Sequence, residues 1–252
     1  MQKIHKISQP QEVSMDNTWF EFNSPDHFWM KSRMRYLIDL LTGNNYHGVF
    51  LDIGCGSGQT IVEIENAVKC IIDGADLDEK LLLQAPRIKG KLMILDVMDE
   101  HPGLSEKYDL ILLLDVLEHI DNDTEFLRNT MRLLKPGGVI IINVPAFQSM
   151  YSRYDSQVGH KRRYTIRTLR GAAEDAGLTT LSSRYWGIGM TPLILLRKLV
   201  LIFARKKSIV KTGFSEPSER IGQLLNQICR IEHDLNIPQP FGTSVMSSFK
   251  KA

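Results

Sequence analysis

The stretch Leu51-Asp52-Ile53-Gly54-Cys55-Gly56-Ser57-Gly58-Gln59-Thr60 decides the fold of this chain. An apolar run leads into it and a helical pattern follows it. A strand that ends in a glycine-rich turn before a helix brings bare backbone and a helix N-terminus up to a ligand. A dinucleotide turn has the spacing G-x-G-x-x-G, which needs a third glycine at position 59, where this chain has Gln59. The turn is therefore not predicted to bind a dinucleotide.

Asp52, two residues before Gly54, narrows the choice of ligand. A carboxylate at this place would repel a pyrophosphate, but it suits a ligand that carries an ammonium group. S-adenosylmethionine has an ammonium group on its methionine end and a positively charged sulfonium beside it. The spacing of Gly54, Gly56 and Gly58 therefore indicates a methyl donor rather than a nicotinamide cofactor.

Apolar runs alternate with amphipathic segments over most of the chain. The predicted strands are 48–53, 70–76, 91–96, 108–115, 138–144, 178–185 and 243–249, and the predicted helices are 58–67, 78–85, 122–134 and 165–176. Several strands are continuously apolar, as in Leu110-Ile111-Leu112-Leu113-Leu114, which is typical of strands buried on both faces of a parallel sheet. The pattern predicts an α/β fold with a doubly wound seven-stranded sheet.

Three further regions surround this core. Residues 1–45 are predicted to form a loose tail, over 1–25, and an aromatic helix that starts near His27-Phe28-Trp29. Residues 46–185 and 241–252 form the core of the fold. Residues 186–240, which contain no strand pattern, form a helical insertion or lid.

Three carboxylates, Asp76, Asp96 and Asp115, are predicted at the carboxyl ends of successive strands. Ligands of doubly wound sheets bind beyond these ends, and a carboxylate about 20 residues after the glycine turn commonly accepts hydrogen bonds from a ribose. The alternative is that each aspartate only caps the following helix, as Asp78 and Asn122 are predicted to do. The combination with the glycine turn favours donor binding.

The chain resembles the class I S-adenosylmethionine-dependent methyltransferases over residues 27–185 and the last strand. The resemblance is carried by Leu51 to Gly58, Gly74-Ala75-Asp76, Asp96-Val97, Tyr108-Asp109-Leu110, Asp115-Val116-Leu117-Glu118-His119 and Leu134-Lys135-Pro136-Gly137-Gly138. It implies a mostly parallel sheet whose last strand is antiparallel. It also implies that Asp52 and the glycine turn hold the methionine end, that Asp76 binds the ribose and that Asp96 lies beside the adenine. The predicted cofactor-binding residues are Asp52, Gly54, Cys55, Gly56, Gly58, Asp76, Leu77, Asp96, Val97 and Asp115.

A narrower resemblance, to small-molecule and glycolipid-pathway methyltransferases, is carried by three segments. They are His27-Phe28-Trp29, Gly159-His160-Lys161-Arg162-Arg163-Tyr164-Thr165 and Gly242-Thr243-Ser244. The acceptors of that group are diverse, so the resemblance does not define the acceptor.

Two histidines are candidate catalytic bases. Methyl transfer from a sulfonium gains most of its rate from proximity, but a hydroxyl or ammonium acceptor must also lose a proton, for which histidine is suited. His119 follows the fourth strand and His160 lies in the loop after the fifth. Each has a structural alternative: His119 could organise the cofactor loop, and His160 could make a loop hydrogen bond. Asp115-x-x-Glu118-His119 also resembles the metal-linked cluster of ubiquinone-pathway O-methyltransferases, but Asp115 replaces the longer Glu and no metal is predicted.

Charge is unevenly distributed, although the net charge is only +2. Residues 73–125 carry 14 acidic and 5 basic residues, whereas residues 146–211 carry 3 acidic and 13 basic ones. The acidic half suits a cationic cofactor, and the basic half suits an anionic acceptor or a membrane surface. Trp29, Arg163 and Tyr164 are the predicted acceptor-binding residues, with a solvated loop as the alternative for the basic segment. Nucleic acid is not a predicted partner, since no RNA-binding motif is present.

Residues 191–207 form a predicted helix too short to span a bilayer, with Lys198 and Arg205 on one face and an apolar arc opposite. The alternatives are an interfacial membrane helix, a lid packed on the domain, or a contact with a second subunit in a homodimer. Three cysteines without a pairing pattern and a polar N-terminus predict a cytoplasmic protein, with peripheral membrane contact as an alternative. The predicted activity is methyl transfer to an O or N atom of a small or lipid-linked, anionic acceptor. The alternative is a catalytically silent domain of this fold that docks on a membrane or a protein.

Overall fold

A computed structural model describes residues 2–11, 27–203, 218–236 and 238–252. The strands are β1 (Ile4–Lys6), β2 (Gly48–Ile53), β3 (Cys70–Asp76), β4 (Leu92–Ile94), β5 (Tyr108–Leu114), β6 (Leu134–Pro145), β7 (Leu178–Trp186) and β8 (Ser244–Lys251). The α-helices are α1 (Phe28–Gly43), α2 (Gln59–Ala67), α3 (Glu79–Leu82), α4 (Asp123–Leu133), α5 (Arg153–Gln157), α6 (Ile166–Asp175), α7 (Thr191–Phe203) and α8 (Glu219–Leu235).

All of these strands belong to one sheet with the order β1-β4-β3-β2-β5-β6-β8-β7. The pairs from β1 to β6 are parallel, and β8 pairs antiparallel with both β6 and β7. The chain moves outward from β2 through β3 to β4 and then restarts at β5 on the other side. Such a reversal opens a crevice at the carboxyl ends of the two central strands, β2 and β5. The fold class is confirmed, with one strand more than predicted.

The additional strand is β1, which lies in the tail that the sequence predicted to be loose. Residues Ile4–Lys6 pair in parallel with Leu92–Ile94 at the edge of the sheet, and the Ser8 and Ile7 amides continue to the Ile94 carbonyl oxygen. Three residues in a polar sequence are too few to show a strand pattern, which is why the strand was not predicted. It forms because the free edge of β4 offers partners for its backbone hydrogen bonds.

The two faces of the sheet pack into separate apolar clusters because side chains alternate along each strand. In β5, Ile111 and Leu113 belong to one cluster, and Leu110 and Leu112 belong to the other. Strand β6 starts at Leu134 instead of the predicted residue 138, so Lys135-Pro136-Gly137-Gly138 is part of the strand and not a turn before it. Strand β4 is shorter than predicted and ends at Ile94, two residues before Asp96.

The region between β7 and β8 is helical in its described residues, with α7 and α8 after a short turn at Ile188–Met190. Glu232 of α8 holds this region to the core. Its carboxylate accepts hydrogen bonds from the amides of Gly187 and Gly189 at 2.6 and 2.9 Å, and from the Tyr36 hydroxyl at 3.2 Å. Among the described helices, none is both long and apolar enough to cross a membrane.

Candidate functional site

A cavity of about 750 Å³ opens at the carboxyl ends of β2, β3 and β5. One part of its wall comes from the glycine turn and the strand ends, and the other from α1, α5, α7, α8 and the loop after β6. The wall contains most of the predicted site residues, namely Trp29, Asp52, Gly54, Cys55, Gly56, Asp76, Leu77, Asp96, Val97, Asp115, His119, His160 and Arg163. Gly58 and Tyr164 do not line it.

The glycine turn forms a tight backbone cradle at one end of the cavity. Gly54, Gly56 and Gly58 have φ angles of +75°, +54° and +71°, which side-chain-bearing residues rarely adopt. A Cβ atom at Gly54 would lie 2.5 Å from the Val116 side chain. The Gly56 amide donates a hydrogen bond to Asp76 Oδ2 at 2.8 Å, which ties the turn to β3.

Two predicted ligand-binding carboxylates also support local backbone. Asp76 Oδ1 accepts a hydrogen bond from the Asp78 amide at 2.9 Å, while Asp96 accepts bonds from the Met98 amide and from the Gln11 side chain, both at 2.9 Å. Neither aspartate caps a helix, since Asp78 is the N-cap of α3 and residues 97–101 after Asp96 are not helical. Each carboxylate has about four acceptor positions and so has room for a ligand, and its role in binding stays a prediction. Gln11 brings the N-terminal segment to the predicted adenine end of the cavity.

Asp52 lies in the cavity wall and is only 2% exposed. Burial raises its pKa to about 7, an effect that Arg33 opposes and Asp76 reinforces. A cation in the cavity would favour the charged form of Asp52. The cradle, the buried acid and the volume of the cavity thus fit the cationic methionine end of S-adenosylmethionine.

Arg33 of α1 reaches into the same end of the cavity. Its guanidinium pairs with Asp115 and donates a hydrogen bond to the Thr60 hydroxyl at 3.2 Å. Asp115 has a φ of +60° and also accepts a hydrogen bond from the Asn143 side chain at 2.9 Å. The structure thus places Asp115 at the centre of a polar network between α1, β5 and β6.

His160 stands in the other half of the cavity wall and is held by Asp155. Its Nδ1 lies 2.9 Å from Asp155 Oδ1, which also accepts a hydrogen bond from Arg163 Nε at 2.7 Å. Burial alone would raise the pKa of Asp155, but the hydrogen bonds from His160 and Arg163 outweigh it and hold the pKa well below the ordinary value. An ionised carboxylate only accepts hydrogen bonds, so His160 Nδ1 carries a hydrogen, and Nε2 is the ring nitrogen that does not face Asp155.

Glu118 and His119 lie beside this nitrogen. Glu118 is fully buried, its Oε1 is 3.8 Å from His160 Nε2, and burial and Asp115 raise its pKa well above the ordinary value. Burial and neighbouring His160 lower the pKa of His119 to about 3, so that ring is neutral. Ligand atoms of these three residues lie within 4.8 Å of one another, a spacing that could hold a metal ion. The absence of a metal stays a prediction.

Most of the basic segment 160–170 is engaged in contacts within the protein. Arg162 pairs with Asp123, the Tyr164 hydroxyl donates to the same carboxylate at 2.9 Å, and Arg170 pairs with Glu174. Tyr164 is buried behind the cavity wall rather than in it. Arg163 lines the cavity but is paired with Asp155. The exposed Arg170–Glu174 pair fits the alternative of a solvated face, whereas Tyr164 is only 2% exposed and does not.

Arg197 of α7 also lines the cavity. Its guanidinium lies 4.4 Å from the centre of the Tyr154 ring, in the same half of the cavity as His160. Burial and nearby Arg163 lower its pKa, while Tyr154 and Asp155 oppose this. Arg205, predicted on one helix face with Lys198, lies outside the described residues.

Three functional candidates were not assigned from the sequence: Arg33, Asp155 and Arg197. A weak signal existed for Asp155, the only acid in the basic stretch before residue 174. The sequence contained no signal for Arg33 or Arg197, because each lies on a helix that is distant in the chain from the glycine turn and reaches the cavity only in the folded protein.

Residues 26–183 match the family model described as a methyltransferase domain. A ubiquinone biosynthesis O-methyltransferase of Shewanella halifaxensis is 29% identical, over 56% of this chain and 64% of that protein. A malonyl-[acyl-carrier protein] O-methyltransferase of Haemophilus ducreyi is 30% identical, over 42% of this chain and 45% of that protein. The matches thus span less than two thirds of either relative.

A crystal structure of an S-adenosylmethionine-dependent methyltransferase from Archaeoglobus fulgidus has a TM-score of 0.58 and 18% identity, and the match covers 94% of this chain and 100% of that one. At that identity the match shows the fold. The chain belongs to the methyltransferase-domain family, and the resemblance to class I S-adenosylmethionine-dependent methyltransferases is confirmed. The glycine cradle and the buried Asp52 of this chain fit S-adenosylmethionine, on which the Archaeoglobus fulgidus methyltransferase depends.

Proposed function

We propose that this protein methylates a hydroxyl oxygen of a small acceptor that carries an anionic group, with His160 as the general base. The observation that carries the proposal is the Asp155–His160 pair in the cavity wall, at a hydrogen-bond distance of 2.9 Å. S-adenosylmethionine supplies an activated methyl group on a sulfonium leaving group. The protein's own contribution is to place the acceptor oxygen and to remove its proton.

His160 is built to receive that proton at Nε2. Asp155 fixes the ring with Nδ1 protonated, and it stabilises the positive charge that the ring acquires. The His160 amide donates to the Asp155 carbonyl oxygen at 2.8 Å, and the Tyr151 hydroxyl donates to the His160 carbonyl oxygen at 2.7 Å. The O–H bond of the acceptor breaks toward Nε2 while the new O–CH₃ bond forms and S-adenosylhomocysteine leaves. His119 is less suited as a base, because its low pKa makes it a poor proton acceptor.

Arg197 supports an anionic acceptor. A guanidinium pairs with carboxylate or phosphate through parallel hydrogen bonds, and it does so more strongly where water is excluded. Arg197 projects from α7 into the half of the cavity that contains His160. Trp29, whose ring is 5.5 Å from Trp186 and 5.5 Å from the Arg33 guanidinium, offers a flat apolar wall for a planar acceptor.

A pair of catechol probes tests both parts of the proposal. The protein is incubated with methyl-labelled S-adenosylmethionine and either 3,4-dihydroxybenzoate, which is anionic, or catechol, which is neutral. We expect methylation of both, with a kcat/KM at least roughly tenfold higher for the anion, since a charged hydrogen-bonded pair contributes about 1.5–3 kcal/mol. In Arg197→Met this preference should fall to near unity while catechol turnover is retained.

Equal turnover of both probes by the wild-type protein would contradict the role of Arg197. Tight binding of S-adenosylmethionine without methylation of any hydroxyl, across phenols, sugars and polyprenyl phosphates, would instead favour the catalytically silent alternative. Peripheral membrane contact through 191–207, with its exposed Leu195, Leu196 and Leu199, stays a prediction.

A further inference from the structure

Helix α8 carries a row of five exposed, large apolar side chains, the first of which, Ile221, also lines the cavity. Ile221, Leu224, Ile228, Ile231 and Leu235 are between 36% and 62% exposed. They are spaced by alternating steps of three and four residues, which is the a/d pattern of a coiled-coil seam. The opposite side of the helix already packs on α1, with Cys229 buried there. Exposed apolar residues usually occur singly, so a continuous row marks an interaction surface.

We propose that α8 pairs in antiparallel orientation with α8 of a second copy of this chain, so that the protein is a two-fold symmetric dimer. This inference does not depend on the proposed function. In an antiparallel pair, each a position packs against a d position of the other helix. Ile221 then faces Ile231 of the second copy, and Leu224 faces Ile228. The helix has 17 residues, or about 25 Å, which is long enough for four such layers.

The charges that flank the row favour this orientation. With Ile221 at an a position, Arg220, Gln227 and Asp234 occupy the three g positions, all of them exposed. Antiparallel helices bring g positions together, so Arg220 of one copy meets Asp234 of the other at both ends, and the two Gln227 side chains meet at the centre. The contacts on this side are therefore complementary, with Asp234 also paired to Arg230 of its own helix at 3.6 Å.

A parallel pair lacks this complementarity. It would place g positions against e positions, and the e positions are Leu225 and Glu232. In a parallel pair Arg220 would face Leu225 of the other copy, and Gln227 would face Glu232. Arg220 and Asp234 would then have no opposite charge across the interface. The sequence of α8 thus specifies both the partner and its direction.

Light scattering after gel filtration tests the proposal with the full chain. We expect twice the 28.7 kDa mass of one chain at micromolar concentration. Leu224→Glu should raise the dimer dissociation constant by at least roughly a hundredfold, because it buries an unpaired charge in the seam. The matched control is Leu196→Glu on α7, since Leu196 is 57% exposed and Leu224 is 55% exposed. The control should remain dimeric, and circular dichroism should show both variants folded.

Charge reversal tests the orientation separately. Arg220→Glu and Asp234→Arg should each weaken the dimer by about tenfold, since each places like charges at both ends of the seam. The double variant should restore wild-type affinity. The proposal would be overturned by a wild-type protein that is monomeric, or by a Leu196→Glu variant that dissociates as readily as Leu224→Glu. It would also be overturned if the two charge reversals weakened the dimer additively in the double variant.

Discussion

Replacement of His160 by glutamine removes the proposed base but keeps a side chain that can still donate to Asp155. General base catalysis contributes about 10²–10⁴ in rate, or roughly 3–5 kcal/mol of transition-state free energy. The loop around residue 160 keeps its backbone hydrogen bonds to Asp155 and Tyr151. We therefore expect kcat to fall by about 10²–10⁴, while the dissociation constant of S-adenosylmethionine changes less than about twofold, because His160 lies in the acceptor half of the cavity.

The assay is initial-rate methylation of 3,4-dihydroxybenzoate at saturating donor, with calorimetric titration of S-adenosylmethionine beside it. His47→Gln is the matched control, since His47 is an exposed histidine outside the cavity wall. It should have wild-type kcat.

Asp155→Asn separates positioning from catalysis. If Asp155 acts on the rate only by positioning His160, the double variant Asp155→Asn/His160→Gln should lose no more activity than His160→Gln alone. Asp155→Asn should also lower the melting temperature, because it weakens the partner of buried Arg163. The reasoning is refuted if His160→Gln retains kcat within about threefold of the wild type.

Three further predictions concern the cofactor end and the helical region. Asp76→Ala should raise the dissociation constant of S-adenosylmethionine by about 10- to 100-fold in calorimetry, through the lost ribose hydrogen bonds and the lost Gly56 contact; unchanged affinity would remove Asp76 from the site. Because the pKa of Asp52 is about 7 and a cation favours its charged form, affinity should fall about tenfold from pH 8 to pH 6, with proton release on binding, and Asp52→Asn should abolish this dependence. Glu232→Ala should lower the free energy of unfolding by about 2–4 kcal/mol in denaturant titration, since it leaves the amides of Gly187 and Gly189 without their acceptor; a stability within about 0.5 kcal/mol of wild type would contradict this anchor.

The sheet could be predicted from the sequence because its strands are locally encoded. Apolar runs such as Leu110 to Leu114, the glycine turn and the cap at Asn122 each specify structure within a few residues. The predicted bounds of the strands were wrong where pairing with residues distant in the sequence determines where a strand begins or ends. Strand β1 exists only because β4 offers an edge, and β6 extends back to Leu134 by pairing with Tyr108.

The sequence could predict that the glycine turn and Asp76 lie together for the same reason, but it could not predict which residues form the other part of the cavity wall. The glycine turn and Asp76 come from one β-α-β unit, in which the distance along the chain fixes the distance in space. Arg33, Asp155 and Arg197 meet the site from α1, α5 and α7, and their contacts depend on how those elements pack. The pairing of the basic segment 160–170 could not be predicted for this reason, since its partners, such as Asp123 for Arg162, are remote in the sequence.

The orientation of the donor in the cavity tests the central claim most directly. A crystal structure with S-adenosylhomocysteine should show its ribose at Asp76, its amino group at the glycine turn beside Asp52, and its sulfur directed toward the half of the cavity that contains His160 and Arg197. A product that lies elsewhere, or whose sulfur faces away from His160, would contradict the account.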